Sequence, residues 1–211
     1  MSKKLDPKYQ KKKKFEVHLI TLGDSTVGKT SLICRYNGDP FKSYYVSTHG
    51  IDSQFKKIKL QNGEEINVKI TDTAGQERYQ SIAKNYIKKA NGILLVYDIT
   101  NKESFQNVFK WGKEIIDNSE DSKPIILIGN KIDLEDKRCV SKEEGEKFAG
   151  NYCDGGIKFY ETSCKTGENV NEAIDDLVNL VYNKYSGNNI NEENNIKIDG
   201  GKRENGAKCC K

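Results

Sequence analysis

The chain has 211 residues, 35 basic and 31 acidic, and its formal charge of +4 is spread unevenly. Residues 1–14 hold seven Lys against Asp6, and from Lys184 onward six basic residues meet four acidic ones, leaving a mildly acidic body of 22 against 26. This distribution argues against a nucleic-acid-binding domain and suits basic ends that lie near anionic lipid. No apolar run approaches the ~20 residues of a membrane span. The N-terminus is expected to carry no signal segment, and Ser2 excludes glycine myristoylation. Cys34, Cys139, Cys153 and Cys164 lack zinc-ligand spacing and read as reduced cytosolic thiols.

The expected organisation is a flexible basic arm over 1–13, one α/β domain over 14–185 and a disordered tail over 186–211. In chain order, Phe15–Leu22 is a nearly continuous apolar run, the mark of a strand covered on both faces. His18 within it reads as a packed strand residue. Gly23-Asp24-Ser25-Thr26-Val27-Gly28-Lys29-Thr30 follows, and it fits the G-x-x-x-x-G-K-[ST] phosphate loop between a strand and a helix start. Glycines let backbone N–H groups turn inward around phosphate oxygens, and the helix N-terminus adds its positive end. Lys29 supplies a point charge to β/γ-phosphates, and the Thr30 hydroxyl can ligate Mg²⁺.

The helix from about Gly28 ends at the breakers Asn37-Gly38-Asp39-Pro40. Ile51–Leu60 and Ile66–Asp72 read as antiparallel strands joined through Asn62-Gly63, the strongest short hairpin signal. A helix is expected over Ile82–Lys89, a buried strand over Gly92–Tyr97, and a helix from Glu103 to Ile116. Strand-like Pro124–Ile128 precedes Ser141 and Glu144, which resemble a capping box opening a helix to about Ala149. Ile157–Thr162 is a last strand. Val170, Ala173, Ile174, Leu177, Val178 and Val181 then mark an amphipathic closing helix. The fold class is α/β: a mostly parallel six-stranded sheet with one antiparallel hairpin strand and helices on both faces.

Three more loops at strand ends select a base and a chemistry. Asp72-Thr73-Ala74-Gly75-Gln76-Glu77 offers an acidic Mg²⁺ contact, the Gly75 N–H for a γ-phosphate, and Gln76 to orient an attacking water. Asn130-Lys131-Ile132-Asp133 places a carboxylate that can accept from guanine N1–H and its 2-amino group. Adenine has neither donor, so the wrong base would leave a buried acid unpaired. Thr162-Ser163-Cys164-Lys165 can offer a backbone N–H to guanine O6.

These motifs, with Thr48 and Glu161-Thr-Ser-Cys-Lys, resemble the Ras superfamily of small GTPases over about residues 14–185. Leu95-Val-Tyr-Asp-Ile-Thr100 and the Cys-Cys-Lys ending are similar to the Rab branch within it. The resemblance implies a P-loop NTPase fold, with GTP or GDP as ligand and Mg²⁺ as cofactor. It implies nucleotide contacts from Ser25, Thr26, Val27, Gly28, Lys29, Thr30, Ser31, Phe41, Thr48, Gly75, Asn130, Lys131, Asp133, Ser163, Cys164 and Lys165. Metal contacts would come from Thr30, Thr48 and Asp72. Phe41 would cover the guanine edge and Lys131 would stack along it.

Gln76 would be the catalytic residue of a slow GTP hydrolysis, with no arginine finger evident in cis. Thr48 and Gly75 would hold their loops only while the γ-phosphate is present, which makes a switch. Implied partners are a GTPase-activating protein, an exchange factor, a GDP-dissociation inhibitor, a prenylation escort, and effectors binding residues 41–53 and 74–90. Cys209 and Cys210 would be geranylgeranylated, meeting the two-signal requirement for stable attachment to an intracellular membrane. The expected assembly is a monomer. Two of the three aromatic positions that commonly face Rab effectors are polar here, Ser53 and Thr71, leaving Tyr86. A second reading stays open: a Rab-like nucleotide-bound scaffold with little turnover.

Overall fold

A computed structural model describes residues 16–42, 51–60, 62–73, 80–119 and 121–194, apart from the side chains of 51, 80–83 and 187–194. Its elements are β1 (Glu16–Leu22), α1 (Lys29–Asn37), β2 (Ile51–Lys59), β3 (Glu65–Thr73), α2 (Gln80–Lys89), β4 (Gly92–Asp98), α3 (Lys102–Asn118), β5 (Ile125–Asn130), α4 (Lys142–Asn151), β6 (Lys158–Thr162) and α5 (Val170–Asn194). A short 3₁₀ helix, Ile132–Lys137, follows β5. The strands form one sheet in the order β2-β3-β1-β4-β5-β6. Every neighbouring pair is parallel except β2 and β3. The expected fold class is therefore the observed one.

Alternation along the strands divides the core into two layers. On β4, Leu94 and Val96 pack with Leu19, Leu177 and Val181 beneath α5, while Ile93, Leu95 and Tyr97 pack with Ile20, Val108 and Ile115 beneath α3. Burial on both faces is why this strand reads as an unbroken apolar run. Each of the buried Leu, Ile and Val side chains contributes roughly 1.5–3 kcal/mol of burial free energy. Gly92 leaves room for the side chains of α5. A Cβ there would lie 2.6 Å from Val181 Cγ2 and 2.9 Å from Leu19 Cδ2.

The hairpin follows its sequence signal. Gly63 takes φ +87, the Asn62 side chain accepts from Glu64 N at 2.9 Å, and Lys59 faces Glu65 across the register. The capping box of α4 is also present, with Glu144 N donating to Ser141 Oγ at 3.2 Å and Ser141 N to Glu144 Oε2 at 2.9 Å.

Two expectations need correction. Helix α5 continues through Asn194, so the segment expected as a disordered tail from 186 begins helical. Extending an established helix is far easier than nucleating one, which composition alone does not register. Thr71, expected on the face offered to effectors, is fully buried. It sits on β3 between β1 and β2, where His18 Nε2 lies 2.9 Å and Ser53 Oγ 3.1 Å from its hydroxyl.

Candidate nucleotide-binding site

Strand β1 has β3 on one side and β4 on the other, so the strand order reverses at its carboxyl end, where open α/β sheets bind ligands. The loop leaving that end is Gly23–Gly28. Gly23 takes φ +141 against the neighbouring strand, and a Cβ would sit 2.1 Å from the Val96 carbonyl oxygen. Gly28 takes φ +104 at the N-cap of α1, where a Cβ would sit 2.2 Å from Asn130 Nδ2. No side chain caps α1. Its first-turn N–H groups, from Lys29, Thr30 and Ser31, thus form an anion-binding end.

Lys29 is buried. Its ammonium donates to the carbonyls of Gly23 at 2.9 Å and Asp24 at 2.6 Å. Burial lowers its pKa to about 8, opposed by the charges of Asp72 and Asp24. Thr30 Oγ1 donates to Asp72 Oδ2 at 2.5 Å, and Thr21 Oγ1 donates to Asp72 Oδ1 at 3.2 Å. A buried carboxylate beside a hydroxyl is a hard-oxygen donor set that suits Mg²⁺ completed by phosphate and water. Among the described residues no cluster of three or more His, Cys, Asp or Glu is present, and a metal held largely by phosphate needs none.

Asn130 joins the base-reading loops to the phosphate loop, and Cys164 Sγ adds a longer contact to the Gly28 carbonyl at 3.9 Å. Asn130, at the end of β5 and buried, donates from Nδ2 to the Val27 carbonyl at 2.8 Å. Its Oδ1 accepts from Thr162 Oγ1 at 3.2 Å and from Cys164 Sγ at 3.3 Å. Asp133 accepts from Ser163 Oγ at 2.7 Å and has Lys165 Nζ at 4.0 Å. Lys131 takes φ +74, with its ammonium 2.6 Å from Asp98 Oδ2. Burial pushes the Cys164 thiol up to about 12, so it acts as a neutral donor.

Ser25, Thr26 and Val27 are in place within the loop, with Thr26 at φ +66. Phe41 is 41% exposed near the end of the described segment after α1. Thr48, Gly75, Gln76, Cys209 and Cys210 lie outside the described residues.

Three supports escaped the motif reading. Asp24 accepts from Asn107 Nδ2 at 2.7 Å and Trp111 Nε1 at 2.9 Å. Asp98 anchors Lys131 while its Oδ1 accepts from Thr100 N at 2.9 Å and Thr100 Oγ1 at 2.7 Å. Arg35 of α1 donates to the carbonyls of Cys164 at 2.7 Å and Lys165 at 2.5 Å. Asp24 lies within the phosphate-loop motif and Asp98 within Leu95–Thr100, but neither motif shows these partners, and Arg35 carried no signal.

A phosphate loop opening α1, a Thr–Asp oxygen pair and an Asn/Asp-bearing loop at the next strands' ends define a P-loop nucleotide-binding protein. The Ras family profile matches residues 18–183. Ras-related protein Rab-8B of Homo sapiens is 43% identical over 182 residues, 86% of each chain. Ras-related protein Rab-15 of Rattus norvegicus is 43% identical over 167 residues, 79% of this chain and 77% of its own. Ras-related protein Rab-13 of Bos taurus is 42% identical over 176 residues, 83% and 85%. The chain belongs to the Ras family, in its Rab branch of small GTPases.

Proposed function

We propose that the chain is a Rab-class switch that binds GTP and GDP with Mg²⁺ and recruits effectors to an intracellular membrane in vesicle transport. The observation that carries this reading is Asn130. It joins the phosphate loop at Val27 to the loop of Cys164, while Ser163 orients Asp133 beside it. One rigid frame thus spaces a phosphate cradle from a base-reading carboxylate. Lys29 and the first-turn N–H groups of α1 take the phosphates, with Ser25, Thr26, Val27, Gly28 and Ser31 forming the cradle. Asp133 accepts the guanine donors, Lys131 lies along the base, and Ser163, Cys164 and Lys165 close the pocket.

Thr30 and Asp72 would hold magnesium, with Thr48 from outside the described residues. When bound, the ion neutralises charge on the phosphate oxygens. Gln76 would orient water, Gly75 and Thr48 would sense the third phosphate, and Phe41 would cover the base edge. Turnover is slow until an activating protein supplies an arginine. An exchange factor, a dissociation inhibitor and a prenylation escort complete the cycle. Geranylgeranyl chains on Cys209 and Cys210 provide the membrane attachment; no helix among the described residues is long and apolar enough to cross a membrane.

Isothermal titration with Mg²⁺ tests the pocket. Tight binding of GTP and GDP with no measurable ATP binding is expected, and equal affinity for ATP would end the guanine reading. Single-turnover hydrolysis, with and without a Rab-activating protein, separates the switch from a nucleotide-bound scaffold.

A further inference from the structure

The sheet extends two strands past β1, and α2 packs against β1. On that extension Phe55 of β2 pairs with Lys69 of β3, which pairs in turn with His18 of β1. Three side chains therefore form a row across three strands. Phe55 is 68% exposed, with Lys69 Nζ 5.7 Å from its ring centroid.

In the next row Ser53 pairs with Thr71, whose hydroxyl lies 3.1 Å from Ser53 Oγ and 2.9 Å from Nε2 of His18, which reaches it diagonally from the first row. The Tyr86 ring of α2 stands edge-on to His18 at 6.4 Å. Lys57 follows Phe55 on the same face, and Lys89 closes α2; both are exposed. Among the described residues no ion pair engages Lys57, Lys69 or Lys89. Burial, and then Lys69, hold the His18 imidazole below its ordinary range, with Lys89 adding to the effect and Glu16 and a Lys89 backbone contact opposing it. The positive charge of this face thus resides on lysines.

An exposed aromatic flanked by ammonium groups that make no ion pair among the described residues is complementary to one chemistry. We propose that this face receives an acidic segment of a partner protein, whose bulky apolar side chain covers Phe55 and whose carboxylates meet Lys57, Lys69 and Lys89. The proposal rests on the reading above that the chain recruits effectors, and it specifies what those effectors present here. Covering Phe55 excludes water and strengthens the flanking ion pairs. Ser53 and His18, half-buried between Phe55 and Tyr86, are directional groups that match a discrete side chain better than a plane of lipid headgroups.

The test selects displayed random peptides on the full chain loaded with a non-hydrolysable GTP analogue. The expected peptides carry Asp or Glu beside a large apolar residue. They should bind the Lys57→Glu and Lys69→Glu variants at least about tenfold more weakly, and weaken with salt. Acid-to-Lys versions of the same peptides should recover on the Lys69→Glu variant. Phe55→Ala should lose binding while the GDP affinity stays unchanged, which shows that the variant is folded. Recovery of neutral or basic peptides, or acidic peptides indifferent to both charge reversals, overturns the proposal. So does lysine-dependent binding to phosphatidylserine vesicles with no acidic peptide recovered, which would assign the face to lipid. Peptides that bind the GDP-loaded and GTP-analogue-loaded chains equally would instead defeat the switch reading and leave the charge assignment standing.

Discussion

Trp111 donates its indole N–H to Asp24 Oδ1 at 2.9 Å and thereby ties α3 to the second residue of the phosphate loop. Asn107 fixes the other carboxylate oxygen at 2.7 Å, so both oxygens of a single loop side chain are held by one helix. A loop that must present its N–H groups to phosphate gains preorganisation from such an anchor. Trp111→Phe keeps most of the apolar bulk and removes the donor. It should cost about 1–3 kcal/mol of stability. Release of a fluorescent GDP analogue should accelerate by up to about tenfold, which corresponds to 1.4 kcal/mol of binding. An unchanged release rate would show that the anchor serves the core alone.

Lys29 gives a pH dependence with a definite sign. Its pKa is lowered to about 8 by burial while it donates to the Gly23 and Asp24 carbonyls. Phosphate oxygens in contact with the ammonium favour the charged form and raise that pKa. Binding should therefore take up a proton above about pH 8, and affinity for GDP should fall by up to tenfold per pH unit there. Below that pH Lys29 is already charged, so its contribution is flat. Titration calorimetry in two buffers of different ionisation enthalpy counts the protons directly.

Asp133 accepts from Ser163 at 2.7 Å and leaves its remaining acceptor capacity for a ligand. Asp133→Asn converts an acceptor-only group into one that also donates. Losing charge-assisted hydrogen bonds worth about 1.5–3 kcal/mol each should weaken GDP binding by about a hundredfold or more. Xanthosine diphosphate presents a carbonyl where guanine presents an amino group, so its relative affinity should rise. Competition between the two diphosphates measures the change.

Thr26 holds φ +66, a left-handed conformation in which a β-branched side chain is a genuine outlier. Relieving strain of about 1–3 kcal/mol, less the greater unfolded-state freedom of glycine, should make Thr26→Gly more stable by about 1 kcal/mol. A domain of this size would then melt about 2–4 °C higher. Calorimetric scanning of both proteins checks the direction.

Much of the frame was legible because its signals are local. The hairpin was written in Asn62-Gly63, the α4 cap in Ser141 and Glu144, and the closing helix in the spacing from Val170 to Val181. The buried strands showed themselves as apolar runs because helices cover both faces. Less legible were residues that act across long separations. Arg35 reaches Cys164 and Lys165 over 129 and 130 positions, and Asp24 meets Trp111 over 87. No periodicity encodes such pairs, since partners this distant meet only when the sheet brings them together. Thr71 shows the opposite case: a hydrophilic residue expected outside is buried because His18 and Ser53 satisfy its hydroxyl.

By itself, the order of residues determined an α/β chain with a phosphate loop, a guanine-type Asn-Lys-x-Asp loop and membership in a GTPase family, because those loops need fixed residue types at fixed spacing. Tertiary structure alone decided how these pieces act as one site. Asn130 welds the phosphate loop to the base loop, Asp72 is held at Thr30, and Lys29 loses proton affinity through burial. Distances of about 3 Å between groups far apart in the chain, and the removal of water around them, exist only once the sheet has closed.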